Sequence, residues 1–290
     1  MLRPDEHDPQ VVTEYTVGAV ARLLGVPVAT LRSWNRRYGI GPRHHVPGRH
    51  RYYTRGDLTV VIRMMELVRA GATPASAAQA ARIVLEPAPV LGDFGAVLDA
   101  AERMDVPALV ALVSGHLTHH GVCDTWNRVC RPAFEVVVER QAAGQGYIDV
   151  EHLLSWAVTT SLYRSVPVLV GPERELRVLL ACTEGEQHTL PLEVLRAALA
   201  ERRCPALLLG ANLPAGALAD ALQRRTRRCA VVLWAQAART ATLEPIAAAE
   251  HHGAAVMLAG PGWQQTEYTC GRSHLGSLAE ALTKISAVAS

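Results

Sequence analysis

The sequence predicts a multidomain protein of the α and α/β classes: a winged helix-turn-helix, a four-helix bundle and a Rossmann-like parallel sheet, in that order. Three observations predict it. Two short amphipathic segments lie near the N-terminus, four longer apolar-periodic segments fill the middle, and strands alternate with helices towards the C-terminus. Breaks rich in proline and glycine separate these blocks. We therefore expect domains at residues 1–84, 92–168 and 174–290.

The first block has the pattern of a helix-turn-helix. Five apolar residues are predicted to share the inner face of its first helix: Val17, Val20, Ala21, Leu23 and Leu24. Gly25-Val26-Pro27 then turns the chain into a second periodic segment, in which Leu31 and Trp34 are predicted to point inward.

Positive charge is concentrated in this block. The second helix carries Arg32, Arg36 and Arg37 on its outer face, and a ribbon broken by proline and glycine follows with more arginines and two tyrosines. Residues 10–70 contain ten arginines and three acidic residues, which gives this segment a net charge of +7. The whole chain has a net charge of +2, so the remaining residues together have a net charge of −5. Guanidinium groups on a helix can pair with phosphates or guanine edges in the major groove. The distribution indicates a phosphate-binding module attached to a module with another task.

This block resembles the MerR family of transcription regulators. The matching residues are Tyr15-Thr16-Val17, the turn Ala21-Arg22-Leu23-Leu24-Gly25-Val26, Thr30-Leu31-Arg32-Ser33-Trp34 with Arg37-Tyr38-Gly39, and the wing Gly48-Arg49-His50-Arg51-Tyr52-Tyr53 leading to Asp57-Leu58. A small helical domain with a solvated arginine face is the alternative, but charge alone does not account for the ordered turn, aromatic and wing residues together.

The MerR resemblance implies double-stranded operator DNA as a partner, with RNA polymerase as a further candidate. The implied DNA-contacting residues are Tyr15, Thr16, Thr30, Arg32, Arg36, Arg37, Tyr38, Arg43, Arg49, Arg51 and Tyr52. A single recognition helix buries little surface, so we expect the chain to pair with itself as a dimer or tetramer. Val61, Met65 and Val68, in the helical segment after the wing, are the predicted contact.

The middle block predicts an antiparallel helical bundle. After a linker at Leu85-Glu86-Pro87-Ala88-Pro89, four apolar-periodic segments cover residues 94–103, 107–119, 122–143 and 149–163. The breaks between them are short, as an antiparallel four-helix bundle requires.

The last block predicts βαβ units. Short apolar runs at 175–182, 205–210, 230–233 and 255–258 alternate with helices predicted at 191–201, 215–225, 244–251 and 277–287. Ligand-contacting groups in such sheets follow the carboxyl ends of strands, and the first run ends in Cys182-Thr-Glu-Gly-Glu-Gln-His188.

The order of these elements resembles the cobalamin-binding fold, which implies a five-stranded parallel sheet and a loop Asp/Glu-x-His-x-x-Gly that supplies a lower axial histidine to cobalt. Glu186 and His188 match this loop, with Pro191 at the glycine position. The bundle resembles the cap of CarH-like light-dependent regulators, whose Glu-His pair matches Glu151-His152. The resemblance thus implies Glu151, His152, Glu186, His188 and Trp234 as ligand-binding positions, adenosylcobalamin as cofactor and His188 as cobalt ligand.

The departures from that family concern the ligand. Gln141 stands where the family has its cap tryptophan, and Ala142 stands where it has the histidine of the light-converted state. Trp234 replaces a small hydroxyl residue at the end of the third strand, and Ala259-Gly260 replaces a pair of glycines. Trp234 and Pro191 are expected to crowd the slot for the nucleotide tail, and Gln141 cannot replace an indole over the upper ligand.

Two interpretations of His188 remain open at this stage: a cobalt ligand oriented by Glu186, or a surface histidine without metal. Glu151 and His152 either line a cavity or cap a helix turn. We predict a cytoplasmic bacterial transcription regulator, not an enzyme, in which cobalamin binding is lost or altered. The alternative is a repressor that responds to light through adenosylcobalamin, and a remoter one is a cobalamin-dependent enzyme or carrier module.

Overall fold

The computed structural model describes residues 15–42, 52–166, 177–225, 229–269 and 271–289. It divides into two compact units. The first comprises residues 1–68 and 73–87, and the second comprises residues 69–72 and 88–290. In the described parts of the chain, no helix has the length and apolar character needed to cross a membrane.

The described residues of the first unit form four α-helices, a short 3-10 helix (Ile83–Leu85) and a two-stranded antiparallel ribbon. Its helices are α1 (Val17–Leu24), α2 (Val28–Tyr38), α3 (Arg55–Arg69) and α4 (Pro74–Arg82), and its strands are β1 (Tyr15–Thr16) and β2 (Tyr52–Tyr53). Thr16 caps α1 by accepting a hydrogen bond from the backbone N–H of Ala19 at 3.2 Å. Gly25 ends α1 in the left-handed conformation, with φ of 63°.

The core of this unit corrects two expectations from the sequence. Val20, Leu31, Trp34 and Met64 are buried as the helical pattern requires. Leu23, however, is 65% exposed, so it lies outside the buried face of α1 that contains Val20. Val61, expected to form a contact between copies, is 1% exposed and belongs to the core.

The second unit begins with the helical bundle. Its helices are α5 (Gly95–Glu102), α6 (Val106–Thr125), α7 (Arg131–Ala142) and α8 (Ile148–Ser165). The predicted segment 122–143 is not one regular helix, because a π-helical turn at Trp126–Cys130 separates α6 from α7. Gly121 interrupts α6 with φ of 77° and ψ of 176°. The N–H of Val122, where the helix resumes, donates to both carboxylate oxygens of Glu201 at 3.1 and 3.2 Å.

A five-stranded parallel sheet completes the unit and confirms the predicted fold class. Its strands are β3 (Val178–Cys182), β4 (Ala206–Leu208), β5 (Ala230–Trp234), β6 (Ala255–Ala259) and β7 (Ser273–Leu275), in the order β4-β3-β5-β6-β7. The helices between and after them are α9 (Leu190–Glu201), α10 (Ala215–Gln223), α11 (Glu244–His251) and α12 (Leu278–Ala289). All five residues of β3 are buried, as expected for a central strand covered on both faces.

The loops after β5 and β6 approach each other closely. A Cβ atom on Gly260, whose φ is +103°, would lie 2.3 Å from the carbonyl oxygen of Ala235. A Cβ atom on Gly262 would lie 2.5 Å from the carbonyl oxygen of Ala237. Only glycine fits at both positions. The two loops therefore form one surface at the carboxyl end of the sheet.

Candidate DNA-binding surface and ligand site

Helix α2 presents a basic outer face. Leu31 and Trp34 turn inward, while the side chains of Arg32, Arg36 and Arg37 are exposed. Arg32 and Arg36 are one helical turn apart and lie on the same face. A row of exposed guanidinium groups on a helix can reach phosphates and base edges together, as DNA recognition requires.

The other residues predicted to contact DNA surround this helix with different exposures. Tyr15, Thr30 and Tyr38 are half-buried, and Thr16 is exposed although its hydroxyl caps α1. Tyr52 is 44% exposed, whereas its neighbour Tyr53 is in the core. Arg43, Arg49 and Arg51 lie outside the described residues. Pattern reasoning missed Arg82 of α4, which donates a hydrogen bond to the carbonyl oxygen of Tyr38 at the end of α2.

In the second unit, Glu186 and His188 form a hydrogen-bonded pair just after the carboxyl end of β3. His188 Nδ1 lies 2.5 Å from Glu186 Oε1, and the N–H of His188 donates to the same oxygen at 3.0 Å. The other carboxylate oxygen accepts from the N–H of Gln236 at 2.7 Å and from the hydroxyl of Thr240 at 3.0 Å. The carboxylate therefore ties the loop after β3 to the loop after β5.

The two side chains of this pair differ sharply in exposure. The Glu186 side chain is 3% exposed and that of His188 is 60% exposed. Nδ1 of the imidazole is held by the carboxylate, and Nε2 has no hydrogen-bond partner among the described residues. A histidine whose Nδ1 is held by a carboxylate in this way can bind a metal through Nε2. Where the chain is described, no group of three or more His, Cys, Asp or Glu residues can hold a metal ion, so His188 would be a single protein ligand.

Burial alone would raise the pKa of Glu186, but hydrogen bonds from His188, Gln236 and Thr240 outweigh it and lower the pKa to about 2. Because the folded pKa lies below the ordinary value of 4.5, ionised Glu186 stabilises the fold above pH 4.5. That contribution, about 3 kcal/mol, is lost as the pH falls towards 2.

We expect urea unfolding of the second unit to show this loss. Glu186→Gln should be less stable than the unchanged protein at pH 6, because the neutral amide has only one acceptor oxygen. The difference between the two proteins should shrink as the pH falls from 4.5 towards 2, because Glu186 takes up a proton in the unfolded chain over this range while it stays ionised in the folded protein. A difference that stays constant over this pH range would contradict the role given to ionised Glu186.

The cap positions of the bundle are occupied by a separate hydrogen-bond network. Gln141 Nε2 donates to Glu151 Oε2 at 2.7 Å and to the carbonyl oxygen of Tyr147 at 3.3 Å. His152 is exposed, and its Nδ1 lies 2.7 Å from the carbonyl oxygen of Ile148. The structure therefore brings Glu151 together with Gln141, and it does not bring Glu151 or His152 into the cavity described next.

A cavity of about 390 Å³ lies between the π-helical turn of the bundle and the carboxyl ends of β5, β6 and β7. Trp126, Asn127 and Arg131 line it from the bundle. Pro191 lines it from α9 and Trp234 from β5. That this cavity is the predicted slot for the nucleotide tail stays a prediction. Sequence reasoning did not identify Trp126, because a tryptophan in a bundle helix has the pattern of a core residue.

Comparison with known proteins supports the predictions for the N-terminal helix-turn-helix and for the rest of the chain. Residues 15–82 match the model of the MerR HTH family regulatory proteins. The chain is 28% identical over 213 residues to the HTH-type transcriptional repressor CarA of Myxococcus xanthus, covering 71% of each protein. It is 28% identical over 228 residues to the repressor CarH of the same organism, covering 72% of this chain and 74% of CarH.

A solved structure extends the comparison to the second unit. The monomethylamine corrinoid protein of Methanosarcina barkeri superposes with a TM-score of 0.52 at 14% identity, over 65% of this chain and 94% of that chain. At this identity the match shows the fold alone. With the sequence matches, it confirms the resemblance predicted above: a MerR-type helix-turn-helix followed by a CarH-like half with the cobalamin-binding fold.

Proposed function

We propose that this chain, whose residues 15–82 are a MerR-type helix-turn-helix domain, is a bacterial transcription regulator with a CarH-like sensory half. The first unit binds double-stranded operator DNA, and the second senses a ligand that changes this binding. The observation that carries the proposal is the exposed Arg32, Arg36 and Arg37 on α2, opposite the buried Leu31 and Trp34.

The regulator acts without catalysing a reaction of its own. CarA and CarH are named as transcriptional repressors, and an arginine-rich helix-turn-helix has no use in a cobalamin-dependent enzyme or carrier. Two copies engage paired half-sites on the operator, because one recognition helix covers too few base pairs for tight specific binding. RNA polymerase at the promoter is a further partner. A ligand acts by favouring one of two arrangements of the protein that hold DNA differently.

Of the residues predicted to bind cobalamin, only His188 and Glu186 fit that cofactor. His188 would bind the metal of cobalamin through Nε2, and Glu186 would orient the imidazole; the cofactor, when bound, would supply a metal ion that this histidine can ligate. In the bundle, Gln141 is hydrogen-bonded to Glu151, and Ala142 carries no ligating atom. Trp234 and Pro191 occupy the walls of the cavity. We therefore propose that adenosylcobalamin binding and its light response are lost or altered.

A second candidate is a repressor that responds to light through adenosylcobalamin. The observation in its favour is the 2.5 Å contact between His188 Nδ1 and Glu186 Oε1, which orients the imidazole as a metal ligand requires. If cobalamin binding is lost, the contact between His188 and Glu186 has no role in binding a metal. The Glu186 carboxylate still joins the loops after β3 and β5.

One experiment separates the two candidates. The purified protein is mixed with adenosylcobalamin in darkness and desalted, its absorption spectrum is recorded, and operator binding is measured before and after illumination. The primary proposal expects operator binding without cobalamin and no release in light. A retained cobalamin spectrum together with release in light, both abolished by His188→Ala, would establish the second candidate instead.

A further inference from the structure

Three histidines of α6, His116, His119 and His120, form a cluster on the helix. Residues three and four positions apart are neighbours on a helix surface. The ring centroids of His116 and His120 lie 5.7 Å apart, and those of His119 and His120 lie 6.5 Å apart. In the described ranges, no group of three or more His, Cys, Asp or Glu residues can hold a metal ion, so the cluster is not a metal site.

The segment that precedes α5, residues 88–94, lies against this cluster and is called the strap below. His120 Nε2 lies 2.8 Å from the carbonyl oxygen of Pro89, and because a carbonyl oxygen only accepts, Nε2 carries the proton. A Cβ atom added at Gly115, next to His116, would lie 3.8 Å from Pro89 Cγ. Leu91 and Phe94 of the strap pack against the apolar core of the second unit.

The histidines under the strap are poorly placed to carry a charge. His116 is 1% exposed, and His119 is half-buried. Nδ1 of His116 and Nε2 of His119 are buried, and neither has a hydrogen-bond partner within the described parts of the chain. A protonated imidazole donates from both nitrogens. Protonation of His116 would therefore bury a positive charge and an N–H group that no described residue accepts, which is costly.

The surroundings lower the pKa of His116 below its ordinary value of 6.5. Burial is the main cause, the neighbouring His120 and His119 lower the pKa further, and Asp93 of the strap opposes them. Among the described residues, these are the titratable groups that act on His116, although α5, α8 and α9 also pack against α6. Because the pKa is lower under the strap than in solvent, the covered arrangement loses stability as the pH falls below 6.5.

We propose that acidification releases the strap from α6, with the buried His116 as the group whose protonation drives the release. His120 already donates from Nε2, so its own protonation leaves the bond to Pro89 in place, and the response belongs to His116. Histidine is the side chain that ordinarily changes charge between pH 5 and 8.

The release has a consequence for operator binding, and this part of the inference rests on the proposed function. The chain enters the second unit at Ala88, so the strap directly follows the first unit. Once released, it adds up to about 25 Å of flexible chain between the two units. A longer connection lowers the effective concentration of a second helix-turn-helix at its half-site. Operator binding should therefore weaken in acid.

Hydrogen exchange of single backbone amides, followed by NMR on the full chain, tests the release. The N–H of Asp93 donates to the carbonyl oxygen of Val90 at 3.1 Å, and that of Phe94 donates to Gly92 at 3.0 Å. After correction for the effect of pH on the exchange chemistry, protection of both amides should fall by about tenfold between about pH 7.5 and about pH 5. The amides of β3 should stay protected, since the opening is local.

Four variants assign the response. His116→Phe keeps a buried ring that cannot be protonated, and its strap should stay protected at both pH values. His119→Gln removes a neighbouring charge and should reduce the loss, whereas Asp93→Asn removes the opposing carboxylate and should increase it at Phe94. These two opposite changes test the inference even if His116→Phe does not fold. His251→Phe, the same substitution at an exposed histidine of α11, is the matched control and should respond as the unchanged protein does.

Constant strap protection in the unchanged protein, an equal loss in a folded His116→Phe, or loss of β3 protection at the same pH would overturn the inference. Operator binding is measured in parallel at both pH values. The unchanged protein and His116→Phe should bind alike at about pH 7.5, and the unchanged protein should bind about threefold more weakly, or worse, at about pH 5. Absence of operator binding at the higher pH contradicts the proposed function, whereas equal affinities at the lower pH contradict this inference alone.

Discussion

Replacing both Arg36 and Arg37 by alanine is expected to weaken operator binding by about a hundredfold at physiological salt. The two exposed guanidinium groups lie on the outer face of α2, and each DNA contact of this kind contributes about 1–3 kcal/mol. Each phosphate contact also releases counterions, so the slope of log affinity against log salt should fall by about 2. A binding titration over a range of salt concentrations, on an operator selected from random duplexes, measures both.

The control variant removes the same charge elsewhere. Arg103 and Arg224 are exposed in the second unit, and their double alanine variant has the same net charge as the test variant. It should retain operator affinity and salt slope. Equal losses in the two double variants would mean that overall charge, and not α2, determines binding, and the DNA-binding surface would then be wrongly located.

Gly260→Ala is expected to destabilise the second unit by about 3 kcal/mol. The backbone at Gly260 has φ of +103°, which residues with a side chain rarely adopt, and the added Cβ would meet the backbone oxygen of Ala235 at 2.3 Å. A backbone oxygen cannot swing aside as a flexible side chain can, so the loops after β5 and β6 must separate. Urea unfolding followed by tryptophan fluorescence reports the change, because the buried Trp263 lies in the loop after β6.

Gly216→Ala is the comparison for that variant. Gly216 is an exposed helical residue in α10, and nothing lies within 4 Å of its added Cβ. Alanine favours helix over glycine by up to about 1 kcal/mol, so this variant should be neutral or more stable. If Gly260→Ala unfolds at the same urea concentration as Gly216→Ala, the added Cβ does not clash with the backbone of Ala235.

Local signals in the sequence were sufficient to predict the fold class and the contact between Glu186 and His188. Gly25 ends α1, Leu31 and Trp34 turn inward on α2, and the spacing of Glu186 and His188 predicted a carboxylate beside an imidazole. Each depends on residues close together in the chain, where helix periodicity and turn chemistry determine the conformation.

Features that depend on distant contacts were not predictable in this way. The strand β7 (Ser273–Leu275) has three residues and no apolar run, and it is a strand because β6 offers it a parallel partner. The π-helical turn places Trp126 in the cavity, although helical periodicity gave no sign of it. Gln236 and Thr240 lie about 50 residues further along the chain and donate hydrogen bonds to the Glu186 carboxylate. Such contacts are set by tertiary packing and override local preference.

The interruption of α6 at Gly121 has a consequence for how the sensory half can move. The helix resumes at Val122, whose N–H is bonded to Glu201 at the end of α9, so a carboxylate from the sheet side serves as the cap of a bundle helix. A hydrogen bond to a charged group is stronger than one between neutral groups. Bundle and sheet are therefore held together by this charge-assisted contact as well as by their shared apolar core, and separating them would expose both.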